Sequence, residues 1–208
     1  KYIENPLLFN NRKFDIRVFI LIDHQSNLYI FKEGHLKTSS EVYDVSTKHT
    51  FVHITNYSLQ KYNPNFEKYE KGNELGFDDF QIYLDSNNIP IDVRKDIMPK
   101  IKEKVRICVE SCSKKLFRKP ITYTFELYGI DLILDNNFCP YIFEINDNPG
   151  LTISSPIIEI LIPRILDDMF RLTIDTIYDV KNAPLKSQFS VNGYTDEENM
   201  FEKICSLI

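Results

Sequence analysis

The stretch from Phe125 to Gly150, FELYGIDLILDNNFCPYIFEINDNPG, constrains this chain more than any other. It reads as two β-strands around a polar turn near Asp135–Pro140, with Asp131 in the first strand and Glu144 and Asn146 in the second. Side chains alternate faces along a strand, so Glu144 and Asn146 share one face. A hairpin turning at that place sets Asp131 opposite or diagonal to Glu144. Three oxygen-bearing side chains then converge on an otherwise apolar sheet, which is costly unless a cation sits among them. Hard oxygen ligands suit magnesium held together with substrate phosphates. An ordinary strand pair with solvent-facing acids is the competing reading. Against it, YIFEIN surrounds Glu144 and Asn146 with residues expected to be buried.

A second cluster lies in Lys13–Asp23, KFDIRVFILID. Phe14, Ile16, Val18, Ile20 and Ile22 form one apolar face. Lys13, Asp15 and Arg17 share the other, which turns apolar again at Phe19 and Leu21. An arginine fork and a lysine point charge suit phosphate oxygens; a solvated strand edge is the plainer alternative. The third cluster is His53-Ile54-Thr55-Asn56, whose hydroxyl and amide can hold phosphate or metal-bound water. A lone histidine beside apolar residues is more often structural.

Around these clusters the pattern predicts a turn at 24–27, a partner strand over Leu28–Lys32, a looser Gly34–Tyr43, and a charged loop over Asn63–Gly76. A short helix follows at Phe77–Leu84, then a long one from Asp96, as N-cap, to Phe117. Ser154-Ser155-Pro156 opens another helix that runs toward Val180, kinked at Pro163 and apolar nearly all round. Residues 1–180 thus read as one unit. Lys181–Glu198 reads as polar and flexible, within a tail of residues 181–208 that ends in a short helix. The class is α+β, with an antiparallel sheet packed against long helices.

At 208 residues and 43% apolar content the chain can build one core. A net charge of −5 argues against a general nucleic-acid binder. No apolar run is long enough to span a bilayer and no signal peptide opens the chain, so no membrane partner is expected. Cys108 and Cys112, four apart in a helical pattern, read as small core residues, and Cys139 and Cys205 add no zinc spacing. The opening Lys1-Tyr2-Ile3 is already strand-like and lacks an initiator methionine, which reads as a fragment with its N-terminal part missing.

KYIENPLL, RKFDIRVFILI, GHLKTSSEVY, HITNYSLQK, YEKGNELGFDDFQIYL and FELYGIDLILDNNFCPYIFEINDNPGL follow, in order, the motifs of the tubulin–tyrosine ligase family over roughly residues 1–180. The resemblance implies an ATP-grasp fold, here incomplete. It implies an ATP- and magnesium-dependent enzyme that joins an amino acid, tyrosine or glutamate, to a protein acceptor such as tubulin through an acyl-phosphate. Glutamylation or glycylation by the same chemistry, and a non-catalytic tubulin- or microtubule-binding relative, are the alternatives. A cytoplasmic protein associated with the cytoskeleton or cilium is implied, and so is inactivity of the fragment alone.

By the same resemblance, Lys1 and Ile3 frame the adenine. Lys13 and Asp15 lie near the ribose and phosphates, Arg17 grips the terminal phosphate, and Thr55 and Asn56 contact the nucleotide. Asp131, Glu144 and Asn146 stand at the magnesium positions. The family usually has arginine where this chain has Lys37, a position tied to gripping the acceptor or incoming amino acid. Lysine keeps the charge but loses the fork. Gly72-Asn73-Glu74 resembles tyrosine-adding members more than glutamate-adding ones.

Overall fold

The alternating stretch after Arg12 forms the central strand of one antiparallel sheet. The architecture is that of a computed structural model, which describes residues 2–116, 123–178 and 184–207. In chain order the strands are β1 (Leu8–Phe9), β2 (Arg12–Ile22), β3 (Asn27–Val42), β4 (Glu74–Gly76), β5 (Glu126–Leu134), β6 (Pro140–Asn146) and β7 (Phe201–Ser206). The helices are α1 (Thr50–His53), α2 (Tyr57–Gln60), α3 (Phe77–Ser86), α4 (Met98–Leu116), α5 (Pro156–Leu172) and α6 (Ile174–Ile177). The sheet runs β4-β3-β2-β5-β6, with β1 also on β2 and β7 also on β3. The α+β class and the antiparallel sheet follow the sequence pattern.

The sheet's two faces differ as the alternation of β2 requires. Phe14, Ile16, Val18 and Ile20 join Leu36 of β3 and Ile130 and Leu132 of β5 on one face. They pack there against Phe80 and Leu84 of α3 and Ile101 and Val105 of α4. On the other face Phe19, Leu21 and Phe31 meet Ile158, Leu161, Ile162, Ile165 and Met169 of α5. Each such buried side chain contributes about 1.5–3 kcal/mol, and a one-residue slip would exchange the faces, so the register is strongly set. Lys13, Asp15 and Arg17 lie on this second face, beyond the edge of the α5 cluster. The sheet therefore offers α5 an apolar half and leaves a polar half for a site.

Gly34 shows how tightly β2 and β3 approach. A Cβ at this position would lie 2.6 Å from the Arg17 carbonyl oxygen and 2.8 Å from the Phe77 ring. Gly34→Ala is therefore expected to cost about 1–3 kcal/mol in urea unfolding. A loss below about 0.5 kcal/mol would mean that the strands part freely there. The stretch Gly34–Tyr43, expected to be looser, is instead the continuation of β3 through Val42. The pairing passes from Val18 opposite Gly34 to Ile20 opposite Ile30, so a bulge carries the strand across what local sequence reads as a break.

Several expectations are corrected. The long helix is capped at Asp92, whose carboxylate accepts the Arg94 and Lys95 amides, and a wide helical turn over Val93–Ile97 leads into α4; Asp96 is not the cap. Cys112 is exposed and Cys108 half-buried, because the face they occupy turns from the core. α5 stops at Leu172 and is buried on one side only, with Ile160 and Phe170 outward. The tail carries a strand where a short helix was expected. β4 covers only His35–Lys37, and β7 covers another part of the same edge by pairing with Asn27–Phe31. The preceding segment is anchored rather than loose. The buried Arg164 donates to the Phe189, Thr195 and Glu198 carbonyls and to Asp168. Phe117, residues 179–183 and the expected adenine residue Lys1 lie outside the described residues.

Candidate active site

Strand register places the sequence candidates in one row. Arg17 lies opposite His35 on β3 and Asp131 on β5; Asp15 lies opposite Lys37, and Lys37 opposite Glu74 on β4. Asp131 in turn faces Glu144, and Gly129 faces Asn146. Residues directly opposite in an antiparallel pair share a face, so charged side chains from five strands meet on the polar half of the sheet. The hairpin holds its register through its turn, where Asp135 accepts the Asn137 and Cys139 amides.

Asp131 is fully buried, and its carboxylate is the hub. Arg17 Nε and Nη2 donate to its two oxygens at 2.7 and 2.8 Å, and Lys37 Nζ donates to Oδ1 at 2.8 Å. Asn146 Nδ2 stands 3.4 Å from Oδ2. Burial pushes the Asp131 carboxyl up, but the Arg17 hydrogen bonds and the Lys37 and Arg17 charges outweigh it and hold the group below the ordinary carboxylate value. Gly129 makes room for this fork, since a Cβ there would lie 3.0 Å from Arg17 Nη1.

Arg17, Lys37 and Asn56 line an open cleft of about 390 Å³, together with His35, Glu74 and Ser154. Sequence reasoning missed His35 and Glu74 as site residues. His35 stands two residues before Lys37, so alternation already places it on the same face. Glu74 was read as part of a loop, whereas pairing with β3 turns it into the cleft. Ser154 Oγ donates to Glu74 Oε2 at 2.8 Å, just before the Ser155 cap of α5. Burial pushes the Glu74 carboxyl up, against the opposing pull of the Ser155 and Ser154 hydroxyls and the Lys37 charge.

Burial, reinforced by the Lys37 and Arg17 charges and opposed by Asp131, lowers His35 from 6.5 to about 3. Glu74 Oε1 is 3.9 Å from its Nε2. The folded protein holds this imidazole neutral while the unfolded chain protonates it below about pH 6.5. Stability therefore falls as pH drops from 6.5 toward 3, by about 2 kcal/mol between pH 7 and pH 5 for this group. His35→Phe should remove that part of the pH dependence in denaturant unfolding at the two pH values; an unchanged slope would show that His35 is not held neutral.

Lys13, Asp15 and Thr55 form the next step along the same face. Lys13 Nζ donates to the His53 carbonyl at 2.6 Å and lies over the Tyr2 ring. Thr55 donates its hydroxyl to Asp15, whose carboxyl burial pushes up. Thr55 is itself buried, so it positions Asp15 rather than reaching into the cleft. His53 is structural, held between the Thr47 carbonyl and the Tyr2 hydroxyl. Ile3 stands apart, in a second cleft of about 500 Å³ with Tyr2, Glu4, the 135–137 turn and Tyr141.

The expected magnesium ligands Asp131, Glu144 and Asn146 share a face and offer hard oxygens, so the donor set fits a divalent cation in kind. Among the described residues no three His, Cys, Asp or Glu side chains gather to hold a metal. A cation here would therefore rely on the Asn146 amide and on substrate oxygens to complete its shell.

Arg17 and Lys37, both bonded to the buried Asp131, thus stand at an open cleft on the polar half of the sheet. The chain matches the tubulin-tyrosine ligase family model over residues 1–183 and belongs to that family. It is 33% identical over 186 residues to tubulin glycylase 3A of Drosophila melanogaster, covering 87% of this chain and 18% of that protein. It is 29% identical over 197 residues to tubulin glycylase 3B of Tetrahymena thermophila, covering 93% and 16%. With the Caenorhabditis elegans tubulin polyglutamylase ttll-5 it shares 26% identity over 222 residues, covering 95% and 30%. The chain thus spans less than a third of the length of these relatives.

Proposed function

We propose that this chain forms part of the catalytic domain of an ATP-dependent ligase that joins an amino acid to tubulin. The observation that carries the reading is the convergence of Arg17, Lys37, Asp131, Glu144 and Asn146 on one sheet face of a chain in this family. The relatives above are named for glycylation and polyglutamylation, which favours those reactions over addition of tyrosine.

An acceptor carboxylate takes the terminal phosphoryl group of ATP, and ADP leaves. An amine nitrogen then bonds to the acyl carbon as the carbon–oxygen bond to phosphate breaks, and the amine gives up a proton. Such a reaction asks little covalent chemistry of the protein; positioning and charge neutralisation carry it. Asp131, Glu144 and Asn146 would hold magnesium, which when bound neutralises phosphate charge. Arg17 offers a guanidinium already oriented by Asp131, so its remaining donors face the anion without being reordered. Lys13 and Asp15 belong to the nucleotide side of the face, and Ile3 to an adenine-side cleft. The retention of all three ligand positions speaks against a non-catalytic relative.

Mass spectrometry of tubulin tails incubated with the full-length enzyme, Mg-ATP and each amino acid tests this. A mass gain equal to one or more residues of a single amino acid is expected. No gain with any amino acid, or ATP hydrolysis indifferent to tubulin, would overturn the assignment, the latter in favour of a small-molecule ligase.

A further inference from the structure

Among the described residues that line the cleft, Glu74 is a charged side chain that no lysine or arginine pairs directly. It is 9% exposed, and its carboxylate meets serine hydroxyls, Ser154 Oγ among them at 2.8 Å, rather than a cation. Lys37, directly opposite in register, turns its ammonium to Asp131, as does Arg17. Among the described residues no lysine or arginine lies within ion-pairing distance of Glu74. The one basic neighbour, His35 at 3.9 Å, is held neutral by its burial. A buried carboxylate without a cation is costly, and the cost is relieved when a cation arrives.

We propose that Glu74 binds the ammonium group of the incoming amino acid, and that the cleft thereby selects a small amino acid of no net charge over glutamate. The proposal rests on the ligase reading above. The described cleft lining carries two cations, Arg17 and Lys37, and one anion, Glu74, with Asp131 buried behind the cations. This balance matches a zwitterion, its carboxylate toward Lys37 and its ammonium toward Glu74. A second carboxylate, as in glutamate, finds no further cation, and Glu74 repels it. A site gains selectivity from such a repulsive element as much as from the attractive one.

The test uses the full-length enzyme with tubulin and Mg-ATP, reading ADP release against glycine and against glutamate. The wild type should show at least tenfold higher kcat/KM for glycine. Glu74→Gln should raise the KM for glycine at least tenfold and leave the KM for ATP within about twofold, because only the amine subsite is altered. Glu74→Asp, which keeps the charge, should restore part of the loss. Should Glu74→Gln fail to fold, Ser154→Ala decides, since it only releases the orienting donor: a rise of threefold or more in the glycine KM is expected, and no rise overturns the proposal. An unchanged glycine KM, an equal rise in the ATP KM or a shifted magnesium requirement in Glu74→Gln also overturns it, as does a preference for glutamate in the wild type. Wild-type enzyme that releases no ADP in response to any amino acid overturns the ligase reading, and the subsite with it. Release that ignores Glu74→Gln overturns the subsite alone.

Discussion

Glu144→Gln in the full-length enzyme is expected to lower ATP turnover by about 100- to 1,000-fold with the fold intact. Glu144 sits opposite Asp131 on β6, yet it is exposed, and among the described residues no ion pair or side-chain hydrogen bond holds it. Glutamine keeps its shape and removes only the negative charge, so the melting temperature should barely move; exposed positions of this kind usually change stability by less than about 0.5 kcal/mol. Asp131→Asn would not make so clean a test. It strips Arg17 and Lys37 of their shared partner, and lost stability would mix with lost catalysis. Steady-state ATPase measurement with a parallel thermal melt separates the two effects. Unchanged turnover would remove Glu144 from the proposed magnesium ligands.

The largest effect on stability is expected at Arg164. This side chain is fully buried and spreads its guanidinium over Asp168 and three backbone carbonyls, those of Phe189, Thr195 and Glu198. Asp168 is buried too, and also accepts from Arg171 Nη1 and from the Met200 amide. Arg164→Met keeps the apolar stem but leaves the carbonyls without a donor and the acid short of a cation. A loss of about 3–5 kcal/mol is expected in denaturant unfolding, the usual effect of breaking a buried pair on one side. Arg164→Lys should recover little, because one ammonium cannot reproduce a planar fork. Limited proteolysis should cut between residues 184 and 200 in the variant before the sheet unfolds. A loss below about 1 kcal/mol would show that the tail is held by β7 pairing alone.

Much of the site was legible in the chain. The period of two in Lys13–Ile22 placed Asp15 and Arg17 on one face, and the same period in YIFEIN placed Glu144 beside Asn146. The Asp135 turn set Asp131 against Glu144. These are local facts, carried by alternation along single strands and by one tight turn between neighbouring strands. The long helix after Asp92 and the Ser155-Pro156 helix start were legible for the same reason, apart from the cap position.

What resisted reading depends on partners distant in sequence. Nothing near Lys37 says that its ammonium turns to an acid 94 positions on, and nothing near Glu74 says that it will be left without a cation as a result. Asp15 and Thr55 lie 40 positions apart, and their contact turned an expected ligand-binding threonine inward. The tail looked free because its polar residues have no local use; Arg164 and the open edge of β3 supply that use. Alternation along the backbone thus decided which side chains share a face, since strand geometry leaves no other arrangement. Which charge neutralises which was decided only when the strands came together. A buried ion lowers its energy through whatever partner the packed sheet brings within reach, and that partner is chosen by register across the sheet rather than by neighbours along the chain.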